Sequence, residues 1–168
     1  MSDLIISLLR KEIEQEAVTT RKMLALVPDD KHDWKPHEKS MAMKQLALHI
    51  ADIPSWTKLA IDTESINFAD SQEAPVYNNN ADLLAIFDKS SADGAEAMNR
   101  TNDEFIVNGT WTMFYGDHKI GTLSKYETIR HSLSQTAHHR AQLGVYLRLL
   151  NIPIPGTYGP SADDSMGF

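Results

Sequence analysis

The sequence predicts an all-α fold, a four-helix bundle with a short β-hairpin before its last helix, formed as one domain over residues 1–168. Three observations predict it. Apolar residues recur at helical spacing in four separate blocks. Punctuated connections of very unequal length join those blocks, which suits a four-helix bundle. One stretch between the third and fourth blocks holds β-forming residues around an Asn-Gly pair.

The first block runs from about Asp3 to Leu26. Leu4, Ile5, Leu8, Leu9 and Ile13 form its apolar stripe, which resumes at Met23 and Leu24, and Pro28 follows its end. A loop with Trp34, Pro36 and His37 comes next. The second block spans about Ser40 to Ile61, with Ser40 as the expected N-cap. Leu46, His49, Ile50, Ile53, Trp56 and Ala60 lie near one another on its surface. Pro54 removes the hydrogen bond to the Ile50 carbonyl and predicts a kink. A largely polar loop from Asp62 to Tyr77 leads to the third block, which starts at Asn79 or Asn80 and ends near Thr101. Gly94 weakens its middle. Residues Phe105 to Phe114 then place β-formers on both sides of Asn108-Gly109, a hairpin signal. The fourth block is the longest, from about Thr122 to Leu150, and Ser124 with Glu127 fits a capping box. Beyond Asn151 and Pro153 the tail is extended, and its last residues are expected to be mobile.

Composition narrows the function classes. The formal net charge is -7, and no basic run exists to displace counterions from a nucleic-acid backbone. There is no cysteine, which excludes disulfides, zinc-thiolate sites and a cysteine nucleophile. No signal peptide and no stretch of membrane-spanning length is found, so the expected location is cytoplasmic, away from membranes.

Three of the seven histidines fall within nine residues of the fourth block. His131, Gln135 and His139 are spaced i, i+4, i+8 and point to roughly one face. About 12 Å of helix rise separates His131 from His139, so they do not share one ion. Either can act with Gln135 and a ligand from another helix. His49, in the apolar setting Leu46-Ala47-Leu48-His49-Ile50-Ala51-Asp52, is the candidate for that second helix. A neutral imidazole suits zinc, nickel, copper or iron, and Asp52 one turn on is placed to orient the ring. The plain alternative is that these histidines are packed or solvated side chains. His32, His37 and His118 fall in loops and are read as surface residues, and His138 lies about 100° around the helix from His139.

Two segments resemble the DinB (YfiT-like) family. Leu46 to Asp52 is similar to its histidine-bearing second helix. Ser134 to Gln142, followed by Tyr146-Leu147-Arg148, is similar to its last-helix signature, His-x-x-x-His-Arg-x-Gln. The early loop with Val27-Pro28 and Trp34-Lys35-Pro36, and the ending Pro155-Gly156-Thr157-Tyr158-Gly159-Pro160, also resemble the family. The resemblance implies a divalent metal site at His49, Gln135 and His139, filled by zinc, nickel or iron. Gln135 departs from the signature, because an amide oxygen is a poorer ligand than imidazole for such metals.

The resemblance further implies a metal-dependent enzyme, either a transferase using a low-molecular-weight thiol or a hydrolase, acting on a small-molecule substrate. The alternative is a non-catalytic bundle that binds a small ligand or a partner through a degenerate metal site. Arg140 and Tyr146 are read first as structural residues. A carboxylate-holding or dimer-bracing role for Arg140, and a pocket-lining role for Tyr146, are the alternatives. The fourth block carries apolar residues on more than one side, including Ile129, Leu133, Leu143 and Tyr146, so a homodimer is expected. Gel filtration should show a particle of two chains, and a monomer alone would remove that expectation.

Overall fold

The sequence-predicted helices are the main material of the computed structural model, which describes residues 3–70 and 75–164. The expected mobile end at 165–168, and positions 71–74 of the expected polar loop, lie outside the described residues. The first helix, α1, spans Leu4–Leu24 and buries Ile6, Leu9, Met23 and Leu24. Leu4 and Leu8 of the predicted stripe face solvent instead. The free N–H groups of Ile5 and Ile6 donate to the Asp103 carboxylate, at 3.0 and 2.8 Å, so a distant side chain caps this helix.

The predicted second block is two helices, α2 (Met43–Asp52) and α3 (Ser55–Asp62), separated at Ile53-Pro54. Proline there ends one helix and sits immediately before the next. Ser40 is not the N-cap. The helix starts at Met43, where the Met43 N–H donates to the Trp34 carbonyl at 2.8 Å and Gln45 Oε1 accepts from the Ala42 N–H. Helix α4 spans Asn80–Asn99, and its N-cap Asn79 accepts from the Asp82 N–H at 2.9 Å. Gly94, which looked like a weakness, lets the start of α3 approach closely: a Cβ there would lie 3.0 Å from the Pro54 carbonyl oxygen.

The predicted hairpin is displaced. Asn108 ends a short helix, α5 (Asp103–Asn108), begun by an Asn102 cap, and Gly109 follows it. The antiparallel pair is β2 (Thr110–Tyr115) with β3 (His118–Ser124), turning at Gly116, whose φ is +59°. A third strand, β1 (Ser65–Asn67), pairs in parallel with β2, so the sheet is mixed, in order β1-β2-β3. No helix among the described residues is long and apolar enough to cross a membrane.

Helix α6 (Lys125–Leu149) carries the predicted capping box: Ser124 Oγ accepts from the Glu127 N–H, and the Glu127 carboxylate accepts from the Ser124 N–H. It packs against α1, α2, α3 and α5. The core divides in two. One apolar cluster centres on Leu46, Ile50, Tyr77, Phe87 and Leu143, the other on Ile6, Leu9, Met98, Ile106 and Ile129. Buried Thr20, Thr57, Ser132, Thr136 and Arg140 also occupy the interior.

Lys125 is 1% exposed. Its ammonium donates to the carbonyls of Ala60 and Thr63, at 2.9 and 2.6 Å, and pairs with Glu64 at 3.1 Å. It therefore satisfies the free carbonyl end of α3 and joins it to the start of α6. Lys125→Ala should lower the unfolding free energy by about 2–4 kcal/mol, because buried acceptors lose a charged donor. Urea denaturation of both proteins measures this.

Candidate functional site

The two helices that carry the candidate ligands meet side by side. His49 sits on the last turn of α2 and His139 in the second half of α6. Their rings touch edge to face, with centroids 4.5 Å apart and an interplanar angle of 82°. His139 is half-buried, and its Nδ1 lies 2.7 Å from Gln142 Oε1. A carbonyl oxygen there accepts an N–H, so this bond assigns the proton to Nδ1 and leaves the Nε2 lone pair free. Gln142, one turn beyond, is therefore an orienting residue of the kind that histidine ligands use. His138 is exposed, and its ring meets that of His139 with centroids 4.7 Å apart.

A cavity of about 220 Å³ opens beside His49, lined by His49, Ile53, Trp56, His131, Ser132 and Gln135, while His139 stands behind His49 and does not line it. Gln135 thus reaches the same space as His49. Its amide nitrogen lies 3.4 Å from His131 Nε2, a long contact. Among the described residues no three His, Asp or Glu side chains converge as a metal-ligand group. The geometry offers the touching imidazoles of His49 and His139, and the Gln135 amide and His131 ring in the cavity wall.

The electrostatics favour the neutral form of His49. Loss of water around the ring pushes His49 below its ordinary value, although the residue as a whole is exposed at the surface. Repulsion from His139 adds to this, and the Asp52 carboxylate partly offsets it. Asp52 is itself held above the usual carboxylate range by burial, against a Ser55 hydrogen bond and the His49 charge. Asp52 therefore acts on His49 through charge.

Other candidates take structural roles. Arg140 is buried and pairs with Glu16 Oε2 at 2.6 Å and Thr20 Oγ1 at 2.9 Å, with the Tyr158 ring 5.0 Å from the guanidinium carbon. Tyr146 is buried, donates to the Met41 carbonyl and meets the Trp34 ring at 5.5 Å, so it does not line the cavity. His37 and His118 are exposed as expected, but His32 is half-buried against Tyr77, with centroids 5.0 Å apart. Trp56, Ser132 and Gln142 were not singled out as site residues. His49, Ile53 and Trp56 at i, i+4, i+7 already share a helical face, which was the available signal.

The model of the DinB family matches residues 1–166. Solved structures with similar folds include a DinB-like protein from Bacillus subtilis, with a TM-score of 0.68 and 15% identity over 88% of this chain and 95% of that one. A DinB-like protein from Bacillus cereus gives 0.70 and 16% over 89% and 95%. A candidate DinB family member from Exiguobacterium sibiricum gives 0.66 and 22% over 92% and 96%. No curated protein matches the chain.

In the metal-free protein, the NMR titration of the His49 ring should have a midpoint below the ordinary 6.5. His139→Ala should raise that midpoint by removing the repulsion, and Asp52→Asn should lower it further. The folded form binds fewer protons here than the unfolded chain. This group's contribution to stability is thus complete above pH 6.5 and declines as the pH falls toward the folded midpoint.

Proposed function

The chain belongs to the DinB family, and from that premise we propose that it is a metal-dependent enzyme holding a divalent ion where α2 meets α6. His49 and His139 are the imidazole ligands and the Gln135 amide oxygen takes the third position. The observation that carries this reading is the 4.5 Å edge-to-face contact of two imidazoles from different helices. The donor chemistry fits a borderline ion such as zinc, nickel or iron. His49 is held toward its neutral form, and Gln142 fixes the His139 tautomer. Gln135 makes the third donor weak. Ligands on neighbouring helices are also how metal sites in helix bundles are built, which supports this reading.

When bound, such an ion lowers the pKa of a coordinated thiol or water and so supplies a nucleophile. The chain's own residues would position a small molecule in the adjoining cavity, with Ile53 and Trp56 as its apolar wall. A low-molecular-weight thiol from solution is the preferred partner, since the chain has no cysteine of its own; hydrolysis is the other chemistry such a site supports. The acidic net charge of -7 argues against nucleic acid as a partner. Ile129, Leu133, Leu143 and Tyr146, on which a homodimer was expected, are buried within the chain, so that part of the reading rests on the exposed Val145 and Leu149 of α6. A cytoplasmic location goes with this reading.

Gln135 favours a second reading, a non-catalytic bundle with a degenerate metal site. Metal analysis of untagged protein separates the two. Near-stoichiometric metal in the wild type, lost in His49→Ala and His139→Ala, supports the enzyme. Gln142→Ala should weaken metal affinity by about 10- to 100-fold. A metal-free wild type with uptake restored in Gln135→His would establish the second reading instead.

A further inference from the structure

The cavity beside His49 has one aromatic wall. Trp56 stands on α3, just past the break at Pro54, and is half-buried. Two other rings brace it. Trp111 lies 5.9 Å away between centroids and Phe68 6.1 Å away, the latter tilted by only 30°. Trp111 is fixed by burial, and Phe68, 40% exposed, is tied through its backbone. Trp111 is fully buried on β2, and its indole N–H donates to Thr63 Oγ1 at 2.9 Å. The Phe68 N–H donates to the Phe114 carbonyl at 2.9 Å, an extension of the β1–β2 pairing. The small mixed sheet therefore has a consequence for the site: it holds the indole in place before any ligand arrives. A ring fixed in advance costs a ligand less ordering on binding.

The cavity is also lined by His49, His131 and Gln135, and no carboxylate lines it. The candidate donors are two imidazoles and an amide, all neutral. A divalent ion among them would keep its full charge and would favour an anionic donor from the ligand. The volume, about 220 Å³, is below the 300–1,000 Å³ usual for ligand pockets. One ring or an equivalent flat apolar group is what it admits.

We propose that the ligand of this site is a small anion with a flat apolar body, its anionic end toward His49 and Gln135 and its body against Trp56. This rests on the metal reading above. Trp56 is then the residue that determines specificity, and Trp111 and Phe68 are positioning residues for it.

The test uses the full chain loaded with zinc, with the zinc content of every sample measured before any ligand is added. Calorimetric titration compares benzohydroxamate with acetohydroxamate, which share the anionic group and differ by ring against methyl. The wild type should prefer benzohydroxamate. In Trp56→Leu that preference should fall by about 2- to 12-fold, the stacking contribution of one aromatic pair, with zinc content unchanged. Trp56→Phe should keep most of it. An unchanged preference in Trp56→Leu with zinc retained would overturn the proposal while leaving the metal reading intact. Zinc that does not bind, or that survives both His49→Ala and His139→Ala, overturns the metal reading and this proposal with it. A measurement independent of any variant is the nuclear Overhauser contact between the benzohydroxamate ring protons and the Trp56 indole in the wild type. Its presence supports the stacked pose and its absence overturns it.

Discussion

The rotation of α6 about its own axis is the constraint on which the site depends, and one buried guanidinium sets it. Arg140 is 2% exposed and must be paired, because an isolated buried cation costs several kcal/mol. Its partners, Glu16 and Thr20, both stand on α1. Once Arg140 points at α1, its neighbour His139 is turned about 100° around the helix and faces α2, where His49 waits. A different rotation would strand the charge and separate the two imidazoles together. The arginine of the last-helix signature thus serves the histidine beside it without touching the cavity.

Much of this was legible in the sequence because it is local. The capping box at Ser124 and Glu127, the Asn79 cap and the placement of His49 and His139 on two helices all follow from short-range pattern. What was illegible depends on distant partners. Asn108-Gly109 carries a strong hairpin signal, yet Asn102 caps a helix just before it, and the glycine serves close approach. A Cβ on Gly109 would come within 2.5 Å of the Phe105 carbonyl oxygen and 3.0 Å of the Lys125 side chain, while its φ of -69° is ordinary. Ser40 gave way as a cap because the chain at Met43 is held by Trp34. The parallel strand β1 pairs with residues more than forty positions later, and no local pattern announces such a partner.

The same distinction runs through the candidate site. Residue spacing marked the histidines and Gln135, but it could not show that Ser132 lines both the site cavity and a smaller interior one of about 30 Å³. That small space is also bordered by Thr20, Thr57 and Thr136, between the two apolar clusters. Its surface is otherwise mainly apolar, with Ile13, Phe87 and Leu133 among the lining residues. The candidate site is thus backed by hydroxyl groups on one side and aromatic rings on the other.

Gln135 has a meaning for inheritance as well as for coordination. Glutamine and histidine codons differ only in their third base, so the third imidazole lies a single nucleotide change away in either direction. Nothing in the packing resists that exchange: the side chain is half-buried beside a cavity, and its contact with His131 is long. On the proposed metal reading, a lineage with this fold can therefore strengthen or relax the site without repairing anything else.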